Sequence, residues 1–290
     1  MSIPLRSTSL NSSSKIGVFD SGVGGLTVLA EIVREMPRES VIYFGDTARV
    51  PYGNRSKQEI LRFVREIIAW MMGQNVKMII MACNTSSALV LEEVRSEFPI
   101  PILGIILPGA RAAVRNGHHI GVVSTQATAD SNAYQQAICE INPAAKVWQQ
   151  GCQEFVPLIE SNRLRDPYTL AVAKRYLEPM ISSGIDTLVY GCTHYPHLAP
   201  VFKQIVPDHI ALVNPAIHLT AAAQQELEIL GLSHTKETAS GKIEFYVSGD
   251  PHHFAAVSKQ WLGYLPQVSK VSVEILESIH AASSQVASDR

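Results

Sequence analysis

The sequence predicts an α/β protein built from two similar parallel-sheet lobes, with helices on both faces and an active site in the cleft between them. Three observations carry this expectation. Short apolar runs alternate with longer amphipathic segments through almost all of the 290 residues. Runs that are apolar throughout, separated by helices, belong to parallel sheets covered on both faces. Two unrelated motifs also recur at nearly the same spacing, as expected of two halves of domain size.

In chain order, strands are expected at residues 16–19, 41–44, 78–82, 102–106, 120–123, 187–190, 211–213 and 243–247. Amphipathic helical stretches fall at 26–35, 57–73, 86–97, 129–140, 167–182 and 216–230. The recurrence concerns the strand ends. Ile16-Gly17-Val18, followed by Phe-Asp-Ser, resembles Ile120-Gly121-Val122, followed by Val-Ser-Thr, at an offset of 104 (120 − 16). Met81-Ala82-Cys83-Asn84-Thr85 resembles Tyr190-Gly191-Cys192-Thr193-His194 at an offset of 109 (192 − 83). The expected division is a loose serine-rich tail over 1–14, a first lobe of 15–105 plus 214–290, and a second lobe of 106–213. Residues 281–290 are small and polar and are expected to fray.

Composition narrows the function. Apolar residues make up 46% and charged residues 17%, enough for a substantial core. A net charge of −2 with interspersed signs leaves no footprint for gripping a phosphate backbone, so nucleic acid is not the expected partner. No apolar run reaches membrane-spanning length, and the N-terminus lacks the apolar centre of a secretory signal, so a cytoplasmic location is expected. The four cysteines, Cys83, Cys139, Cys152 and Cys192, form no C-x-x-C pair, so neither a zinc site nor a disulfide framework is expected. Each is a buried small hydrophobe or a reactive thiol. Cys139 and Cys152 lie in apolar surroundings and read as structural.

Chemistry gathers at the ends of the expected strands. The first ends in Asp20-Ser21-Gly22-Val23-Gly24-Gly25-Leu26, a tight turn that lets backbone approach a ligand at a helix start. It is neither a dinucleotide fingerprint, because Thr27 takes the place of the last glycine, nor a phosphate loop. Its capping reading is equally open. The second strand runs into Gly45-Asp46-Thr47-Ala48-Arg49-Val50-Pro51-Tyr52-Gly53-Asn54, a substrate-facing loop or an ordinary turn. The third ends in Cys83-Asn84-Thr85-Ser86-Ser87, where a following helix terminus attracts a carboxylate and favours thiolate. Cys192-Thr193-His194 repeats the arrangement, with His194 placed for proton traffic. Thr125 and Thr128 follow Ser124 with hydroxyls suited to a carboxylate. Of the ten histidines, His118, His119, His252 and His253 read as solvated loop residues.

Taken together, Asp20-Ser-Gly-Val-Gly-Gly-Leu, Gly45-Asp-Thr-Ala-Arg, Pro51-Tyr-Gly, Ala82-Cys-Asn-Thr and Gly191-Cys-Thr-His-Tyr-Pro resemble the glutamate racemases of the wider aspartate/glutamate racemase family. The motifs span roughly residues 16–230. Ser124 departs from the pattern, standing where the family more often has glycine, and the serine tail is extra. The resemblance implies an isomerase that works without a cofactor. Cys83 and Cys192 act as opposed acid and base, with Cys83 serving D-glutamate and Cys192 serving L-glutamate. Asp20 and His194 assist, as does an acidic residue of the second half that Glu160 matches better than Glu154. Asp20, Ser21, Pro51, Tyr52, Gly53, Asn84, Thr85, Thr125, Thr128, Thr193 and His194 are the implied substrate-binding positions. A homodimer, no metal, and a role in supplying D-glutamate for peptidoglycan and cell shape belong to the same expectation. The alternatives are an aspartate racemase, one methylene shorter in its substrate, and a non-catalytic binding protein, for example one that binds gyrase.

Overall fold

The computed structural model describes residues 11–234 and 240–288, with side chains described as far as residue 281. Its strands are β1 (Lys15–Asp20), β2 (Val41–Gly45), β3 (Val76–Met81), β4 (Ile102–Gly104), β5 (His119–Ser124), β6 (Lys146–Gly151), β7 (Thr187–Gly191), β8 (Ala211–Val213), β9 (Ile243–Val247) and β10 (Val268–Lys270). The first helices are α1 (Leu26–Glu35), α2 (Lys57–Met72), α3 (Asn84–Glu97), α4 (Ile106–Asn116), α5 (Gln126–Asp130) and α6 (Ala133–Ile141). They are followed by α7 (Phe155–Glu160), α8 (Pro167–Ser182), α9 (Ala199–Phe202), α10 (Pro215–Ile229), α11 (Pro251–Leu262) and α12 (Val273–Ser288).

All strand pairs are parallel, in a six-stranded sheet of order β10-β9-β2-β1-β3-β4 and a four-stranded sheet of order β6-β5-β7-β8. The order β2-β1-β3-β4 is repeated as β6-β5-β7-β8, so the motif echo corresponds to a topological repeat. Side chains alternate across each strand. Ile16 and Val18 of β1 join a core under α1, α4 and α10, while Phe19 and, on β3, Ile79 and Met81 join a second core under α2, α3 and α12. The first core continues through Ile120 and Val122 of β5 and Val189 of β7. A continuous apolar layer therefore joins the two sheets, and a third core covers the far side of the smaller one.

Several expected elements differ. The strand over 102–106 stops at Gly104, and Ile106 opens α4, whose Ala110 and Ala113 pack the shared core. The single helix over 129–140 is two, because Asn132 takes a left-handed φ of 56° between α5 and α6. Asn tolerates that region better than most residues, and nothing in its apolar spacing signals the break. β6 is missed because it is a half-solvated edge strand whose exposed residues include Trp148. β10 and α11 are missed in the C-terminal stretch. Of the residues expected to fray, 281–288 belong to α12, and 289–290 lie outside the described residues.

Of the expected loose tail, residues 1–10 lie outside the described residues, while 11–14 are held down. Ser14 is buried and its hydroxyl donates to Asn75 Oδ1 at 3.1 Å. The Lys77 ammonium, fully buried, donates to Ser12 O at 2.9 Å and Leu232 O at 2.7 Å and pairs with Glu39 at 2.5 Å. Glu39 in turn accepts the His234 N–H at 2.8 Å. Lys77 thus ties three chain segments at the amino-terminal ends of the strands. Glu39→Ala leaves that ammonium buried without its counter-charge, and is expected to cost about 3–5 kcal/mol of folding free energy in a denaturant titration. A loss below about 1 kcal/mol would mean that water or the carbonyls already satisfy it.

Candidate active site

The carboxyl ends of β1, β3, β5 and β7 meet at the cleft between the sheets, where open parallel sheets bind ligands. Asp20 closes β1 and is completely buried. Its Oδ1 accepts the Gly22 N–H at 2.9 Å, and its Oδ2 accepts the Thr193 hydroxyl at 3.2 Å from the opposite lobe. Burial raises its carboxyl above the usual carboxylate range, against the charge of His194. Gly24 and Gly25 are required for this packing. A Cβ at Gly25 would lie 2.5 Å from Asp20 Cβ, and one at Gly24 would lie 2.3 Å from His194 Nδ1.

Cys83 is the residue before α3, extended at φ −64° and ψ 120°, so the first-turn N–H groups of that helix face the cleft beside it. Its sulfur lies 3.9 Å from the Ser21 hydroxyl. Burial, and then the negative charge of Asp20, push the Cys83 thiol up to about 12. It is a thiol at neutral pH. Cys192 follows β7 on the other lobe, its sulfur 3.7 Å from His194 Nδ1. His194 Nε2 lies 3.1 Å from Glu160 Oε1. Burial alone would lower the His194 pKa, but the Cys192 sulfur, Glu160 and Asp20 outweigh it and raise the value to about 10. As an imidazolium, His194 has an N–H for Cys192 on one side and an N–H for Glu160 on the other.

Polar bridges hold the two cysteine-bearing ends against each other. Thr27 donates to the Thr193 carbonyl at 2.9 Å, and Tyr134 donates to Asn84 Oδ1 at 2.8 Å. The Thr85 hydroxyl lies 3.0 Å from that of Thr125 and 3.3 Å from that of Thr128, which are themselves 2.9 Å apart. Gly53 lies against this trio, since a Cβ there would stand 3.8 Å from Thr125 Cβ.

The structure therefore brings together Asp20, Ser21, Cys83, Asn84, Thr85, Thr125, Thr128, Cys192, Thr193, His194 and Glu160, with Gly53 at the rim. Pro51 is exposed. Tyr52 is buried and its hydroxyl donates to Asp46 Oδ2 at 2.5 Å. Glu154 is elsewhere, accepting from Tyr168 at 2.9 Å and Tyr176 at 3.0 Å and pairing with Arg175. Ser124 is buried, its hydroxyl donating to the Thr125 carbonyl at 3.0 Å. Cys152 is buried in the core of the second lobe, and Cys139 is half-buried on α6. His118, His119, His252 and His253 are exposed, the last two in the first turn of α11 rather than in a loop. Among the described residues no group of three or more His, Cys, Asp or Glu is arranged to hold a metal ion.

Sequence reasoning missed Tyr134, whose place in α6 carries no motif, and Trp261 of α11. Trp261 stacks on His197 at 4.3 Å between ring centroids and meets His194 edge-on at 6.1 Å. Burial and the nearby His194 charge lower the His197 pKa to about 4, so the stacked ring is neutral. A lone tryptophan in a C-terminal helix gives no sequence signal for such a contact.

The chain has known relatives. Residues 16–226 match the model of the Asp/Glu/Hydantoin racemase family. A glutamate racemase of Synechocystis sp. is 64% identical over 266 residues, which are 92% of this chain and 95% of that protein. A crystal structure of a glutamate racemase from Bacillus anthracis superposes with a TM-score of 0.87 at 34% identity, covering 91% of this chain and 100% of that one. A glutamate racemase from Francisella tularensis, solved in complex with D-glutamate, gives 0.85 at 34% identity over 92% of this chain and 99% of that one.

Proposed function

The chain belongs to the Asp/Glu/Hydantoin racemase family, and on that premise we propose that it interconverts L- and D-glutamate with two opposed thiols and no cofactor. The observation that carries this reading is the placement of Cys83 and Cys192 at equivalent strand ends of facing lobes. The names of relatives such as those from Synechocystis sp. and Bacillus anthracis support the substrate.

The α-hydrogen of an amino acid is a weak acid, and without an electron sink it must be removed and replaced within one site. For the L-to-D direction, Cys192 is the base and reacts through its thiolate form, its sulfur 3.7 Å from His194 Nδ1. The Cα–H bond breaks, its proton forms a new S–H bond on Cys192, and the electron pair stays on Cα, delocalised into the adjoining carboxylate. The S–H bond of Cys83 then breaks and its proton is delivered to the opposite face of Cα. The high Cys83 pKa keeps that proton available at neutral pH. The reverse direction exchanges the roles, with Asp20 beside Cys83 as the proton acceptor in support. Hydroxyls of Ser21 and Thr85, the N–H groups at the start of α3, and Gly53 suit the substrate's carboxylates, because they pair anions without adding a competing base. Glu160 holds His194 in its charged form.

Incubation with L-glutamate in heavy water is expected to bring optical rotation to zero while deuterium enters the α-position. Exchange with aspartate but not glutamate would move the substrate by one methylene, a discrimination worth only about 1–3 kcal/mol in a pocket. No exchange with either would leave a binding role, of which gyrase binding is one case. The same proposal includes lobe boundaries at 105/106 and 213/214, a homodimer, a cytoplasmic location and a supply of D-glutamate for peptidoglycan. For the location, the supporting observation is that no helix among the described residues is long and apolar enough to cross a membrane.

A further inference from the structure

Next to the candidate site lies a buried ionic cluster that the mechanism does not use. We propose that Asp46 is a positioning residue, and that together with Arg49, Glu66 and Ser248 it sets the Pro51–Asn54 turn against the cleft. The inference rests on the reading of glutamate as substrate only for its kinetic consequence.

Asp46 follows β2 and is completely buried. Its N–H donates to the Asp20 carbonyl at 3.0 Å, so its backbone is fixed to the residue that closes β1. Its Oδ2 accepts the Tyr52 hydroxyl at 2.5 Å and its Oδ1 accepts the Ser248 hydroxyl at 2.7 Å. Arg49 Nε lies 3.6 Å from the same Oδ1, and Arg49 Nη1 pairs with Glu66 of α2 at 2.7 Å. The guanidinium makes a cation–π contact, 4.4 Å from the Phe63 ring centroid, and Phe63 also packs Tyr52 at 6.0 Å. Ser248 also accepts the Ala48 N–H at 2.9 Å, and Thr47 Oγ1 accepts the Gly249 N–H at 3.1 Å.

The connecting loop is thus stapled along residues 46–49 and again at Tyr52, with Asp46 common to both attachments. Two features give this a functional direction. Tyr52 uses its hydrogen on Asp46 and keeps its ring in the core, so its hydroxyl has no hydrogen left for a substrate carboxylate. The turn can reach the cleft only through its backbone and Gly53, whose position depends on where Tyr52 is anchored. Ser248 lies beyond residue 226, where the match to the family model ends, but within the 266 residues aligned with the Synechocystis sp. relative. The arrangement is a buried charged network in which removing one member leaves the others unsatisfied.

The test combines kinetics with hydrogen exchange on Asp46→Ala and Asp46→Asn. Asp46→Ala is expected to raise KM for glutamate at least about tenfold with kcat within about threefold, because the turn is misplaced while the thiols are untouched. Backbone amides of residues 48–55 should exchange at least about tenfold faster by mass spectrometry. Asp46→Asn keeps an acceptor for Tyr52 and should recover part of both effects. Should Asp46→Ala not fold, Asp46→Asn and Glu66→Gln carry the same two measurements. Glu39→Gln, at the far end of the same sheet, should lower stability without moving KM. Unchanged KM and unchanged exchange in folded Asp46 variants would overturn the proposal, as would an equal KM shift in Glu39→Gln. A wild type inactive on glutamate whose Asp46 variants still speed exchange at 48–55 would sink the substrate reading and leave the role in the turn.

Discussion

Replacing either Cys83 or Cys192 by serine is expected to lower glutamate racemisation at least about 10³-fold in both directions, because in the proposed mechanism each direction uses one sulfur as base and the other as acid. The exchange is close to isosteric, and both side chains sit at the cleft with only about a twentieth of their surface exposed, so the fold should survive. What changes is proton affinity. A serine hydroxyl at position 83 or 192 neither accepts the α-proton as readily nor gives one up. The two variants should fail alike in net racemisation even though the thiols differ in setting. Cys83 stands beside Asp20 with its pKa pushed to about 12, whereas Cys192 faces the charged His194. Circular dichroism at both enantiomers' starting points measures the rates, and thermal melting checks the fold. Either serine variant retaining activity within about tenfold of wild type would rule out a role for that sulfur in proton transfer.

Gly24→Ala is the second large effect, expected to reduce kcat about 100-fold without touching either thiol, because an error near 1 Å in a catalytic group costs that much. A Cβ at this position would lie 2.3 Å from His194 Nδ1, 2.5 Å from His194 Cε1 and 2.5 Å from Thr193 Oγ1. Those atoms cannot retreat freely. Thr193 is tied to Asp20 at 3.2 Å and to Thr27 at 2.9 Å, and His194 is held by Glu160 at 3.1 Å and by the edge of Trp261. The imidazole must move off Cys192 or the lobes must part. Gly22→Ala is the contrast, since its nearest neighbour would be Val50 Cγ2 at 3.9 Å, and it should stay near wild type. Equal kcat in the two variants would show that the cleft opens in solution far enough to relieve the contact.

Trp261, and Glu66 and Ser248 of the Asp46 cluster, place part of this site outside the motifs. The motif residues Asp20, Cys83, Cys192 and His194 were legible because reactive side chains at strand ends after apolar runs form a pattern within a few residues. Glu160 was legible only through the family resemblance, and its pairing with His194 required α7 to fold back on the segment after β7. The direction of the Tyr52 hydroxyl was not legible. The Pro-Tyr-Gly turn reads equally well with its hydroxyl in the cleft, and the choice was made by Asp46, a buried acceptor six residues earlier.

What the sequence by itself determined is the class and the chemistry. Apolar runs such as 16–19 and 78–82 are strands covered on both faces because no register leaves a polar side to face water. The two cysteine motifs, 109 residues apart (192 − 83), announce paired thiols because the same local pattern builds the same strand end twice. What only the tertiary structure decided is the electrostatics and the fit. Whether Cys83 keeps its proton, whether His194 is charged and whether Gly24 can bear a methyl group depend on atoms brought together across the cleft. Burial and Coulomb forces act through space over a few ångströms, and no spacing along the chain encodes those distances.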